Sequence, residues 1–196
     1  MNLPNQLTIS RFVITFALLL VLFNPFPSHE TLALVLFIGA SLTDYWDGVI
    51  ARRKKIVTNF GILMDPLADK VLTSSLFIAF VGLGQMPAWM VCVIVARELA
   101  ITGLRLLAAS KNIVLAAEGL GKHKTTSQML AISVILTYLC YPHWGPWAGA
   151  LFELPIRGIP WVKWATELSK WTAVILTFLS GFSYLWRNRQ IYLKEM

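Results

Sequence analysis

Charge is what this chain has least of: Asp, Glu, Lys and Arg make up 14% of its 196 residues, against 57% hydrophobic. Soluble domains carry about 25% charged residues, so that class is set aside and an integral membrane protein is expected. Acids are scarcer still, 10 against 17 basic residues, for a net charge of +7. The only two cysteines, Cys92 and Cys140, lie in apolar runs. That excludes a disulfide framework and a zinc cluster, and both read as core packing. No small-residue cleavage site follows the first apolar stretch, so a removable signal peptide is not expected. Internal repeats and low-complexity segments are also lacking.

Long apolar runs are present instead. Stretches approaching the ~20 residues of a membrane span suggest six helices, at roughly 6–24, 30–51, 63–83, 87–109, 124–141 and 168–187. Pro25 with Pro27, and the run from Gly82 to Pro87, supply turns. Lys and Arg cluster at Arg52 to Lys55, at Lys111, Lys122 and Lys124, and at Arg187, Arg189 and Lys194, whereas those two turns carry none. By the positive-inside rule the basic loops and both termini face the cytoplasm. The expected fold is therefore an all-α integral membrane bundle of about six transmembrane helices, one domain over residues 1–196. Basic residues at membrane ends give no reason to expect a nucleic-acid partner, and Arg53, Lys54 and Lys55 read as anchors for anionic lipid head groups. Residues 142–167, rich in Trp and Pro, read as an outer loop or a short interfacial helix anchored by Trp144, Trp147, Trp161 and Trp164.

Against that background four acids stand out. Asp44, Asp47, Asp65 and Asp69 occupy the run D-x2-D-G-x2-A-R-x8-G-x3-D-x3-D. A carboxylate at bilayer depth costs roughly 2.5–3.5 kcal/mol, so four together require a counter-charge, most simply one or two divalent cations. Helical positions three apart differ by about 60° and four apart by about 40°. Asp44 and Asp47 thus share a face of the second helix, and Asp65 and Asp69 a face of the third. If those helices are antiparallel neighbours, both pairs converge on one cavity. Hard oxygen donors suit Mg²⁺ or Mn²⁺, and two such ions about 3.5–4 Å apart would clamp a phosphoryl transfer. Gly48 lets a ligand approach, Ala51 keeps the next turn small, Gly61 frees the entry to the third helix, and Pro66 suits its first turn. Taken singly, each aspartate has a plainer explanation, and Asp65 before Pro66 looks like a helix N-cap. That explanation fails for all four at this spacing, with Gly48 and Arg52 between them.

Asp44, Asp47, Gly48, Ala51, Arg52, Gly61, Asp65 and Asp69 fill every fixed position, over 26 residues, of the signature of the CDP-alcohol phosphotransferases, and the chain resembles that family. NLPNQLTISR near the start, ARELAITGLR at 96–105 and GKHKTTSQ at 121–128 resemble, more narrowly, its bacterial members that make phosphatidylglycerophosphate. The resemblance implies transfer of the phosphatidyl group of CDP-diacylglycerol to sn-glycerol 3-phosphate with release of CMP, on the path to phosphatidylglycerol and cardiolipin. It also implies a multi-pass protein of a bacterial cell membrane, among membrane lipids, as a homodimer with its active site facing the cytoplasm. Asp44, Asp47 and Asp65 would ligate the metal. Asp69 would lie at the same metal site and act as general base on the acceptor hydroxyl. Asp44, Gly48, Ala51, Arg52 and Gly61 would hold the CDP moiety. Asn5, Thr8 and Arg11 share a face at i+3 spacing. By the resemblance they border the nucleotide and diphosphate; by the plainer reading they begin an interfacial helix, with Asn5 near the cap and Arg11 snorkelling.

Arg97 falls near the middle of the fourth expected helix, where a charge should face the bundle interior or a water-filled cavity. Arg105 lies two turns further on, and Lys122 and Lys124 precede the fifth helix with Thr125 and Thr126 at its start. With glycerol 3-phosphate as the implied acceptor, Arg97, Arg105, Lys122 and Lys124 are the candidates for its phosphate, with Gln128 a weaker one. The plainer alternatives are an Arg97 pair with Glu98 or Glu118, and Lys122 and Lys124 as positive-inside anchors. His123 and His143 show no ligand pattern, and Tyr45 and Trp46 read as packing or lipid-facing. Two rivals remain: a same-family enzyme using phosphatidylglycerol, serine or inositol phosphate, and a small cation transporter. Clustering of all four acids toward one membrane face argues against the transporter.

Overall fold

The structure, a computed structural model, describes residues 3–54, 59–111, 113, 115 and 119–193. Among these it forms eight α-helices: α1 (Leu3–Phe23), α2 (His29–Lys54), α3 (Asn59–Gly82), α4 (Ala88–Ser110), α5 (Gly119–Cys140), α6 (Pro146–Phe152), α7 (Trp161–Arg187) and α8 (Arg189–Leu193). A 3-10 turn (Tyr141–Trp144) and a hairpin of β1 (Pro155–Ile156) with β2 (Ile159–Pro160) join α5 to α7. The all-α expectation holds.

Helical periodicity builds the core. Leu72, Leu76, Ala79 and Phe80 recur along one face of α3 and are buried, as are Ala131, Ile132, Ile135 and Leu136 along α5. They pack with Leu18 and Leu22 of α1, Phe37 of α2, Ile94 of α4 and Ala173 of α7 in one continuous cluster. α1 packs against α2 and α3, α5 against α2 and α7, and α4 against α3 and α7. A second cluster, Ile101 and Leu104 with Tyr184, joins α4 to α7.

The α3–α4 turn is held from outside itself. Gly84, at φ +67°, takes the left-handed conformation that the turn requires. The Gln85 amide donates back to the Phe80 carbonyl at 2.8 Å. Lys170 of α7, 5% exposed, donates to the Gln85 carbonyl at 2.9 Å and pairs with Glu167 at 2.5 Å. α7 begins at Trp161 and not near the expected residue 168. Lys163, Glu167 and Lys170 interrupt the apolar run but lie within the helix, and Lys170 finds its partners on a neighbouring element.

Other expectations are corrected in detail. Arg52 to Lys54 lie in α2, not in a loop. α3 begins at Asn59, so Pro66 sits inside the helix and not in its first turn, and Asp65 is no N-cap. The 142–167 stretch is structured: Arg157 (φ 54°) and Gly158 (φ 78°) make a two-residue hairpin turn whose twist suits antiparallel strands. Trp144 donates to Thr31 at 2.9 Å and Trp161 to the Leu151 carbonyl at 2.7 Å, whereas Trp147 and Trp164 are exposed. Cys140 is buried, but Cys92 faces outward and is not core packing; both are free thiols. Arg11 is 1% exposed, which rules out snorkelling, and Thr8 beside it is fully buried. Among the described residues no helix is long and apolar enough to cross a membrane. Polar side chains break the apolar runs, as Arg97, Glu98 and Arg105 do in α4.

Candidate active site

Four helices turn polar faces toward one another at the end of the bundle opposite the α3–α4 turn. Pro66, Asp69, Lys70 and Thr73 lie at i, i+3, i+4 and i+7 on α3, and Gly121, Lys124, Thr125 and Gln128 repeat that spacing on α5. α4 adds Arg97, Glu98 and Arg105, and α7 adds Ser180 and Tyr184, around a cavity of about 470 Å³. Helical periodicity alone gathers these residues; their wide separation in sequence is bridged by the packing of α4 and α5 on α7.

Inside the cavity the cations are tied to named partners. Glu98, 8% exposed, accepts on one carboxylate oxygen from Lys124, which is itself 6% exposed, and from Arg97 Nη1 at 3.4 Å. Arg97 Nη2 donates to Ser180 Oγ at 3.2 Å. Lys70 donates to Thr102 Oγ1 at 2.5 Å, and Thr102 in turn donates to the Glu98 carbonyl at 2.7 Å. Arg105 donates through Nε to the Tyr184 hydroxyl at 3.3 Å, with its guanidinium carbon 5.5 Å from the ring centroid. Gln128, 2% exposed, donates to Thr177 Oγ1 at 3.0 Å. Gly181 makes room for the Arg97 stem: a Cβ built there would stand 2.5 Å from Arg97 Cγ.

The structure thus brings Asp69, Arg97, Arg105, Lys124 and Gln128 to one cavity. The plainer alternative for Arg97, a pair with Glu98 or Glu118, is present with Glu98 as the partner. Asp44, Asp47, Gly48, Ala51 and Arg52 belong to α2, Asn5 to the first turn of α1, Gly61 and Asp65 to α3, and Lys122 to α5. Their side chains lie outside the described residues. Among the described residues no group of three His, Cys, Asp or Glu could hold a metal; Asp69 alone of the aspartate set is described there.

Sequence reasoning did not assign Lys70, Thr102, Ser180 or Tyr184 to the site, and it treated Glu98 only as a partner for Arg97. Lys70 was within reach: carried one residue past Asp69, the helical projection places it on the cavity face. Ser180 and Tyr184 sit one turn apart in an apolar helix, a polar i+4 pair that the hydropathy of α7 hides.

Comparison with known proteins adds an independent finding. The family described as CDP-alcohol phosphatidyltransferase matches residues 1–179. A Bacillus subtilis protein named CDP-diacylglycerol–glycerol-3-phosphate 3-phosphatidyltransferase is 38% identical, the alignment covering 95% of each chain. Proteins of the same name from Rickettsia bellii and Cereibacter sphaeroides are 33% and 31% identical, covering 93% of each chain for the former, and 99% of this chain and 98% of its relative for the latter.

Proposed function

The chain belongs to the CDP-alcohol phosphatidyltransferase family, and we propose that it transfers the phosphatidyl group of CDP-diacylglycerol to sn-glycerol 3-phosphate. CMP is released, and the product phosphatidylglycerophosphate feeds phosphatidylglycerol and cardiolipin synthesis. The observation that carries the proposal is the common wall of Asp69 and the cationic set Lys70, Arg97, Arg105 and Lys124. A carboxylate that can accept a hydroxyl proton lines the same cavity as side chains suited to a phosphate group. The names of the full-length relatives agree with this acceptor.

In the proposed reaction Asp69 takes the proton of the acceptor hydroxyl. The hydroxyl oxygen bonds to the lipid-side phosphorus of the diphosphate, and the bond from that phosphorus to the CMP oxygen breaks. Arg97, Arg105 and Lys124, with Lys70, hold the acceptor's phosphate so that the hydroxyl is presented rather than the phosphate oxygens. Asn5, Thr8, Asp44, Gly48, Ala51, Arg52 and Gly61 are assigned to CDP-diacylglycerol, and Lys122 and Gln128 to the acceptor side. The donor set fits a hard divalent ion: four carboxylates on α2 and α3, with partly buried Asp69 on the cavity wall. Asp44, Asp47, Asp65 and Asp69 would hold Mg²⁺ or Mn²⁺, as two ions, which when bound supply charge neutralisation to the diphosphate and the departing CMP.

Membrane embedding is part of the proposal, in a bacterial cell membrane with the cavity on the cytoplasmic side. Its support is the outward surface: Val13 and Phe16 on α1, Val35 on α2, Ile78 on α3, Leu99 and Leu106 on α4, Leu130 on α5 and Phe182 on α7 are each more than half exposed. Apolar surface on every long helix is not what a water-soluble bundle presents. The basic clusters at the cavity end support its orientation. The test is CMP release by detergent-purified protein given CDP-diacylglycerol, Mg²⁺ or Mn²⁺ and a panel of acceptors, beside Asp69→Asn. Release that needs glycerol 3-phosphate and vanishes in the variant is expected. Release with serine, inositol phosphate or phosphatidylglycerol instead would overturn the acceptor.

A further inference from the structure

We infer that Glu98 is a positioning residue for the acceptor: its buried carboxylate sets the cavity's cations in the arrangement that receives a phosphate group. The inference rests on the glycerol 3-phosphate reading. Two of the four described cations lining the cavity are tied to the Glu98 carboxylate. Lys124, from α5, and Arg97, its neighbour on α4, both donate to the same Glu98 oxygen. Lys70, from α3, reaches its backbone carbonyl through Thr102. Arg105 is held by Tyr184.

A lone buried carboxylate is disfavoured, and a cluster of cations in a partly dry cavity repels itself. Each solves the problem of the other. A carboxylate oxygen is also the same kind of acceptor as a phosphate oxygen: anionic, with several lone pairs and a preference for charge-assisted N–H donors. Cations that converge on Glu98 are therefore already aimed for an oxyanion. Without it Lys124 and Arg97 would separate, and the acceptor's phosphate would meet donors that first had to be gathered. Such a loss falls on acceptor affinity, not on the bond-breaking step or on the nucleotide lipid. Glu98 touches no reacting atom in this scheme and acts through Arg97 and Lys124.

The experiment is steady-state CMP release by the full chain, varying glycerol 3-phosphate and CDP-diacylglycerol in turn. Glu98→Gln, Glu98→Asp, Lys124→Met and the Glu98→Gln/Lys124→Met pair are compared with the parent, with thermal melting in parallel. For Glu98→Gln, KM for glycerol 3-phosphate should rise about tenfold, the effect of one charge-assisted hydrogen bond. kcat and the KM for CDP-diacylglycerol should stay within about threefold. Glu98→Asp, which keeps the charge, should recover part of the affinity, and keeps the question answerable should the Gln variant fail to fold. The double variant should lose less than the sum of the two single losses, because the Lys124–Glu98 pair is broken in both single variants. An unchanged or lowered KM in Glu98→Gln, or additive losses in the double variant, would overturn the inference. So would a joint fall of kcat, both KM-derived affinities and melting temperature, which marks a scaffold residue. A parent enzyme that ignores glycerol 3-phosphate would instead sink the functional reading itself, before any variant is compared.

Discussion

Placing one methyl group at Gly181 should disable the acceptor side of the site while leaving the nucleotide side intact. A Cβ there would stand 2.5 Å from Arg97 Cγ, 3.5 Å from Nε and 3.6 Å from its Cβ. Ordinary carbon contacts are about 3.5–4.0 Å, so the first of these is short by about 1 Å. The clash falls on the stem of Arg97, not its tip, so a swing of the guanidinium alone does not relieve it. Either α4 and α7 separate or Arg97 leaves its rotamer. Its bonds to Ser180 and Glu98, at 3.2 and 3.4 Å, are already long, and a shift of that size breaks both. Overpacking of this kind costs about 1–3 kcal/mol, and water entering the cavity replaces part of what the guanidinium loses. Gly181→Ala should therefore lower kcat/KM for glycerol 3-phosphate roughly 10- to 100-fold, about 1.4–2.8 kcal/mol. The KM for CDP-diacylglycerol should hold. Gly39→Ala is the matched control: nothing lies within 4 Å of its Cβ position, and alanine is the better helix former by about 0.8–1.0 kcal/mol. Measured by CMP release and thermal melting, wild-type kinetics in Gly181→Ala would refute the reasoning, because Arg97 would then not depend on this seat.

Tyr184→Phe removes the hydroxyl that receives Arg105 Nε but keeps the ring beneath the guanidinium; KM for glycerol 3-phosphate should rise about twofold, against about fivefold for Arg105→Lys, which loses both contacts. Gln128→Leu cuts the buried bond to Thr177, so its effect should appear in melting, about 1–2 kcal/mol of stability, with acceptor KM moving less than in Arg105→Lys. Lys170→Met releases the Gln85 carbonyl and Glu167 at the far end of the bundle; melting should fall while both KM values stay put. Chelation should abolish CMP release, and Mg²⁺ or Mn²⁺ should restore it in the parent but not in Asp69→Asn, read by the same assay.

The six long helices were legible because apolar length follows a local rule, and of the aspartate run Asp69 is the one whose side chain is described, on the cavity wall. Arg97 was legible because a lone cation amid apolar residues needs a partner, and Glu98 supplies it. What escaped was relational. The start of α7 at Trp161 and not at 168 escaped because Lys163 and Glu167 break the apolar run, and the partner that buries Lys170 belongs to a turn 85 residues earlier. Arg11 looked like a snorkelling interfacial side chain, because hydropathy is blind to the polar neighbours that allow an arginine to be buried. The hairpin turn at Arg157 and Gly158 escaped because an arginine rarely takes positive φ, although a glycine after it is a turn signal.

Charge balance then separates the acceptors that the shared motif leaves open. Among the described residues, Lys70, Arg97, Arg105 and Lys124 line the cavity with Glu98 and Asp69, so the described lining carries two more positive than negative groups. A phosphate monoester carries about −1.5 to −2 at pH 7 and matches that surplus. Serine, with no net charge, would leave the cations facing one another in a cavity that burial has partly dried, a cost that rises as the dielectric falls. Phosphatidylglycerol offers a single diester charge and would meet half the surplus. Inositol phosphate carries the same charge as glycerol 3-phosphate, so the described lining favours these two over the first two rivals and leaves the choice between them to shape. The cavity of about 470 Å³ must also admit the diphosphate end of the lipid, so discrimination between a three-carbon and a ring acceptor falls to the walls of α5 and α7. Enlarging that wall at Thr126 to Ala, which leaves every cation in place, should improve the ring acceptor relative to glycerol 3-phosphate. A ratio of kcat/KM values that does not move would mean that the residues choosing between phosphorylated acceptors lie elsewhere.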